Sequence, residues 1–156
     1  MSEQNSLRLD DQLCFALYAA SRAVTQTYQP HLQALGLTYP QYLVMLVMWE
    51  YSEPVGVAIK SIGEKLMLDT GTLTPLLKRL ESAGLLTRQR DAADERVVRI
   101  RLTQAGEGLK AQAEAMRAGM VCEYAHLLSG SAELRETLQG LLHTLRSQSA
   151  ASASGQ

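Results

Sequence analysis

At Gly84 the apolar period of the chain changes from 3.6 residues to 2. Two short helical segments precede the change. Residues 57–68 place Ala58, Ile59, Ile62 and Leu66 on one face, and residues 72–83 align Leu73, Leu76, Leu77 and Leu80. Asp69-Thr70-Gly71 separates them, and Gly84 supplies a stop to the second. Pro75 cannot donate to a helical ladder, so the second segment is expected to begin late or irregularly. After Gly84, residues 86–90 and 97–102 are strand-like. In the second strand Val98, Ile100 and Leu102 are expected to face inward, and Val97, Arg99 and Arg101 outward. Residues 91–96 form a polar hairpin tip. Two short helices joined by a tight turn and followed by a two-stranded ribbon describe a winged helix-turn-helix. The expected class is mainly α with a small β-hairpin.

Long helices flank this module. Leu13, Leu17, Ala20 and Val24 mark one face of a helix running from Asp10 to about Leu35, bent by Pro30 and ended by Gly36. Thr38 and Gln41 have capping-box spacing, with Pro40 in the first turn. The Leu-, Met- and Val-rich run to Glu50 reads as a buried helix, and residues 51–56 as a loop. Thr103 opens a helical region over 104–147, divided at Gly119 and at Ser129-Gly130-Ser131. Residues 1–9 are expected to fray, residues 148–156 to form a disordered tail, and no internal repeat is present. A lone winged helix does not need so much flanking helix. The economical organisation is a homodimerisation region at 10–36 and 104–147 around a DNA-binding region at 38–103. A two-fold protein of this kind would read a roughly palindromic duplex.

The total charge by itself argues against that reading, because the 156 residues carry 15 Lys+Arg against 16 Asp+Glu, a net charge of −1. Residues 60–101, however, hold nine basic and six acidic side chains, so this segment is +3 and the remainder −4. A basic module is the electrostatic footprint of a DNA binder. Thr70, Thr72, Thr74, Lys78 and Arg79 on the second helix, with Arg88, Arg90 and Arg96 on the ribbon, are the candidate base and phosphate contacts. The longest apolar run, residues 42–49, is far short of the roughly 20 residues that span a bilayer. The N-terminus also lacks a signal-peptide pattern, so a cytoplasmic protein with no membrane partner is expected. His31, His126 and His143 lack ligand spacing, and no Ser-His-Asp grouping, Gly-rich phosphate loop or EF-hand loop appears. No enzyme, metal or cofactor is therefore expected. Two cysteines, Cys14 and Cys122, are too few for a disulfide scaffold. Taken alone, Cys14 on an apolar helix reads most simply as a buried structural thiol.

Residues 66–86, Leu-Met-Leu-Asp-Thr-Gly-Thr-Leu-Thr-Pro-Leu-Leu-Lys-Arg-Leu-Glu-Ser-Ala-Gly-Leu-Leu, followed by Asp94-Glu95-Arg96, resemble the MarR family of regulators. Residues 10–18 and 37–45, with Leu-Cys-Phe-Ala-Leu-Tyr and Leu-Thr-Tyr-Pro-Gln-Tyr, resemble its organic-hydroperoxide sensor-repressor branch, OhrR. The likeness covers about residues 7–147. It implies that Cys14 is the peroxide-reactive thiol, with Tyr28 and Tyr39 of the partner subunit hydrogen-bonded to its sulfur. It implies that Cys122 resolves the oxidised thiol as a disulfide across the dimer, as in the two-cysteine subtype. It also implies that Arg96 enters the minor groove and that Asp94 positions the wing. Organic hydroperoxide would be the inducer, with apolar Leu13, Phe15, Leu17 and Met45 favouring an organic oxidant. Spacing adds that Tyr18 shares a helix face with Cys14. Tyr28 lies fourteen residues along, about 21 Å on a straight helix, so its contact with a Cys14 needs an antiparallel partner helix. Three other readings stay open: gating by a non-covalent small aromatic ligand, a thiol peroxidase, and an architectural DNA-binding protein.

Overall fold

The computed structural model describes residues 7–51, 54–125 and 130–153. A 3₁₀ turn at Leu9–Asp11 leads into α1 (Leu13–Ala34), so the helix proper starts later than expected. Pro30 sits inside α1 without ending it. The end comes at Gly36, φ +67°, where the Leu37 N–H donates to Leu32 O at 3.1 Å and the Gly36 N–H to Gln33 O at 3.1 Å. This left-handed closure satisfies two terminal carbonyls.

The expected capping box opens α2 (Tyr39–Glu50). Gln41 Oε1 accepts from Thr38 N at 2.8 Å, and Thr38 Oγ1 accepts from Gln41 N at 3.5 Å. Tyr42, Val44, Met45, Val47, Met48 and Trp49 are all buried, making α2 the centre of the core.

Residues 57–58, expected in a helix, form a two-residue strand β1 (Val57–Ala58). The strand exists because it pairs with β3, Val57 opposite Ile100 and Ala58 opposite Arg99. The preceding Gly56, φ +82°, lies so close that a Cβ there would stand 2.7 Å from Ile100 O. The first helix of the motif, α3 (Ile59–Leu66), is therefore shorter than expected. It ends on Met67 in the left-handed region, φ 56°, with the Leu68 N–H donating to Gly63 O.

The second helix, α4 (Thr70–Ser82), starts early and is continuous through Pro75, against the expectation of a late or irregular start. Thr70 and Gly71 are its first turn rather than a break. The reason is the cap at Asp69, whose carboxylate accepts from Thr72 N at 2.9 Å and Thr72 Oγ1 at 2.8 Å and so fixes the start. Leu73, Leu77 and Leu80 are buried, and Leu76 is half-buried.

The ribbon is β2 (Leu86–Arg90) and β3 (Val98–Leu102), antiparallel, with Leu86 opposite Leu102 and Arg90 opposite Val98. The sheet order is β1-β3-β2. Ile100 is buried and Arg101 exposed as expected, whereas Arg99 is half-buried.

Helix α5 (Gln104–Glu123) runs through Gly119, against the expected division there. One helical glycine costs about 1 kcal/mol, too little to end a 20-residue helix. Its start is locked in place: Thr103 Oγ1 accepts from Gly106 N at 3.0 Å, and Trp49 Nε1 donates to Gly106 O at 2.9 Å. After Gly130, φ +82°, α6 (Ser131–Ala153) continues through residues 148–153, correcting the expected tail. Alanine is the strongest helix former, so an Ala/Ser-rich end extends a helix already nucleated. Residues 1–6, 154–156, His126 and Ser129 lie outside the described residues. The chain divides into two compact units, residues 1–113 and 114–156. Among the described residues no helix is long and apolar enough to cross a membrane.

Candidate nucleic-acid interface and thiol site

With Leu73, Leu77 and Leu80 turned into the core, α4 presents Thr70, Thr72, Lys78 and Arg79 to solvent. Thr74 is half-buried, and its hydroxyl donates to Thr70 O at 2.7 Å. The Thr72 hydroxyl is likewise engaged with Asp69, so both threonines offer acceptor lone pairs rather than free protons. The Thr72 side chain, and next its backbone N–H, hold the Asp69 carboxyl below its usual range.

The ribbon arginines fall into three different settings. Arg88 Nε donates to Glu81 Oε2 at 2.8 Å and its backbone N to Oε1 at 3.3 Å, so Arg88 ties β2 to the end of α4. Arg90 is exposed, with Nη1 3.4 Å from Glu95 O. Arg96 is 91% exposed and forks onto Asp94, Nε to Oδ1 at 3.0 Å and Nη2 to Oδ2 at 3.1 Å. This pair holds the Asp94 carboxyl low and the Arg96 guanidinium high. Asp94 thus stiffens Arg96 in the displayed position.

Two residues missed in the sequence complete the wing. Asp91 Oδ1 accepts from Ala93 N at 2.8 Å and Asp94 N at 3.2 Å, while Oδ2 accepts from Arg99 Nε. These bonds, Arg99 foremost, lower the Asp91 carboxyl to about 2. The Asp-x-x-Asp spacing at a hairpin tip was the available signal, since Asp readily bonds the backbone two and three residues on. Nothing in the sequence pointed to Glu81 as the partner of Arg88.

Cys14 is exposed in the first turn of α1, and Cys122 is exposed in the last turn of α5. Within the single chain Cys14 is thus outside the core, unlike the buried thiol that its apolar helix suggested. Tyr18, one turn on from Cys14, is 58% exposed and accepts from Arg22 Nη1 at 2.9 Å, with the guanidinium 5.5 Å from the ring centroid. The packing of α1 on α2 brings Tyr28 and Tyr39 together, edge to face at 5.3 Å between centroids. Tyr42 joins them at 6.0 and 6.4 Å, a third ring that the sequence reading missed although it lies one turn beyond Tyr39. Burial, and then the neighbouring Tyr28, push the Tyr39 phenol above its usual value, so Tyr39 remains a hydrogen-bond donor at neutral pH. The tyrosine cluster stands about 21 Å along α1 from Cys14 of the same chain. Met45 is wholly buried in the core of α2, unlike the exposed Cys14.

A helix-turn-helix with a cationic outer face, backed by a wing whose tip displays one braced arginine, defines a winged-helix DNA-binding regulator. Comparison with known proteins places it further. The family described as transcriptional regulator SarA/Rot matches residues 26–113. The organic hydroperoxide resistance transcriptional regulator of Bacillus subtilis (strain 168) is 51% identical over 107 residues, covering 69% of this chain and 71% of that protein. The structure of reduced AbfR bound to DNA matches with a TM-score of 0.68 at 40% identity, covering 90% of this chain and 99% of that one. AbfR is a Staphylococcus epidermidis protein. Its disulfide-formed structure matches with a TM-score of 0.61 at 39% identity, covering 90% and 97%. The chain belongs to the MarR family of DNA-binding transcriptional regulators, in the organic-hydroperoxide regulator branch, and not to an enzyme family.

Proposed function

We propose that the protein is a homodimeric repressor that holds a roughly palindromic operator and releases it when an organic hydroperoxide oxidises Cys14. The observation that carries this reading is the placement of the thiol and the tyrosines. Cys14 is exposed on α1, and Tyr28 and Tyr39 form a half-buried pair too far along the same helix to reach it. A second copy with α1 antiparallel would bring the Tyr28–Tyr39 pair of one protomer onto Cys14 of the other. Exposed Leu13 and Val24 on α1, and Leu134, Leu138 and Leu142 on α6, support an assembly that covers them. Residues 10–36 and 104–147 would form that dimer frame, and 38–103 the DNA-reading module. Thr70, Thr72, Thr74, Lys78 and Arg79 would face the major groove, Arg90 the phosphates, and Arg96, braced by Asp94, the minor groove. Arg88 would act through Glu81 by fixing the wing against α4.

The chemistry balances without a cofactor. The Cys14 thiolate attacks the peroxide O–O bond, an S–O bond forms, and the hydroperoxide leaves reduced as its alcohol. The sulfenic acid is then attacked by the thiol of Cys122 of the partner subunit, forming the S–S bond and releasing water. Hydroxyls of Tyr18, Tyr28 and Tyr39 would donate hydrogen bonds to the sulfur without adding charge. The new covalent bond supplies the differential stability needed to move the two α4 helices out of register with the DNA. The disulfide-formed structure of the related AbfR supports a cysteine pair as the switch.

Non-reducing electrophoresis after stoichiometric cumene hydroperoxide tests this chemistry. A thiol-reversible covalent dimer is expected in the wild type and absent from both Cys14→Ser and Cys122→Ser. Crosslinking that persists in Cys122→Ser would remove the resolving role, and crosslinking in Cys14→Ser would remove the sensing role.

A further inference from the structure

We propose that Asp91 and Arg99 are positioning residues for DNA reading: their ion pair, anchored on the Gly56 carbonyl, sets the angle at which the wing presents Arg96. This deepens the proposed role of the wing and rests on it. The inference follows from an unbroken chain of bonds. Arg96 forks onto Asp94. The Asp94 N–H donates to Asp91 Oδ1, and Asp91 Oδ2 pairs with Arg99. Arg99 Nη1 donates to Gly56 O at 3.1 Å, 43 residues back in sequence. Gly56 lies close against β3, where its positive φ and the 2.7 Å from a Cβ built there to Ile100 O leave no room for a side chain. The Asp91 N–H also donates to Val97 O at 2.9 Å, which closes the base of the tip.

Exposure separates the roles along this chain. The side chain of Arg96 is 91% exposed, that of Arg99 30% and that of Asp91 11%. The outer arginine is displayed to solvent, while the inner pair is largely withdrawn from it, with Arg99 engaged by Asp91 and the Gly56 carbonyl. Partial withdrawal from water strengthens the inner pair. A two-stranded ribbon is marginal by itself, so its tip needs such an anchor. Without the Asp91–Arg99 link, the tip would remain a hairpin and Arg96 would remain paired to Asp94. The tie from that pair to the body of the module would be gone.

The test is a double-mutant cycle on operator affinity. It uses the full-length protein and a fluorescein-labelled duplex carrying the site footprinted upstream of its own coding sequence. Asp91→Asn keeps an acceptor for the Ala93 and Asp94 amides and removes the ion pair. It is expected to weaken binding about tenfold, and to lower the slope of log affinity against log salt by about one for each phosphate that the wing no longer neutralises. In an Arg96→Ala background, Asp91→Asn is expected to change affinity less than about twofold, since the residue it positions is gone. Arg99→Lys keeps the charge and removes the fork, and guards against a folding defect particular to Asp91→Asn. It should likewise weaken binding only when Arg96 is present. Wild-type affinity in Asp91→Asn and Arg99→Lys, or the same weakening with and without Arg96, would overturn the proposal. Wild-type affinity in Arg96→Ala alone would instead overturn the wing reading beneath it.

Discussion

Single residues decide where this fold tolerates change. Gly106 and Gly108 both lie in the first turns of α5 and look equivalent in the sequence, yet their surroundings differ. A Cβ at Gly106 would stand 2.2 Å from Leu85 O, with Leu102 Cδ2 at 3.1 Å, whereas a Cβ at Gly108 meets nothing within 4 Å. Gly106→Ala should therefore destabilise the protein by about 1–3 kcal/mol through overpacking. Gly108→Ala should stabilise it by about 0.5–1 kcal/mol through helix propensity. Urea unfolding midpoints check the pair, and shifts of the same sign would contradict the packing argument. Thr38→Ala should cost about 1 kcal/mol in the same assay, through loss of the capping box. The box was legible in the sequence because its two partners are three residues apart. The Gly106 clash was not, because Leu85 comes within reach of α5 only once Trp49 and Thr103 have seated the helix.

At the scale of elements, long periodic segments were legible and short paired ones were not. The helix-turn-helix and the ribbon follow from the change of apolar period at Gly84. Strand β1 escaped notice because two residues carry no period and are held only by β3. The early start of α4 escaped because the Asp69 cap outweighs the proline six residues on. Within the site, the outward cations could be read from the helix face, but the hold of Glu81 on Arg88 and of Asp91 on Arg99 arises from the folded ribbon. That ribbon has a defined acid sensitivity. The Asp91 carboxyl is lowered to about 2 from a usual 3.8, and Asp94 and Asp69 are also lowered. A depressed carboxyl contributes stability that is complete above its unfolded value and is lost as pH falls through its folded value. The Asp91 contribution should therefore be intact above about pH 4 and vanish toward pH 2. The Ala93 amide, which donates to Asp91, should report this in an NMR titration with a midpoint near 2 that disappears in Asp91→Asn. A midpoint near the usual 3.8 would show that the Arg99 pair is not formed in solution.

At the scale of the whole molecule, the net charge of −1 is the sum of a +3 reading module and a −4 frame, so the total conceals the DNA-binding part. The proposed thiol site is legible only through family likeness, because one chain does not bring Cys14 to Tyr28 and Tyr39, and the proposal completes it with a second copy. The Leu138→Glu, Leu142→Glu double substitution on the exposed α6 stripe should convert the protein to a monomer by light scattering and abolish operator binding. A dimer with unchanged affinity would place the interface elsewhere. The central claim, that oxidation of Cys14 releases DNA, is tested most directly by fluorescence anisotropy of operator complexes titrated with cumene hydroperoxide. Wild-type complexes should dissociate at about one equivalent per protomer and re-form with dithiothreitol, while Cys14→Ser complexes should stay bound. Equal release from both proteins would contradict the claim and point to gating by a non-covalent ligand.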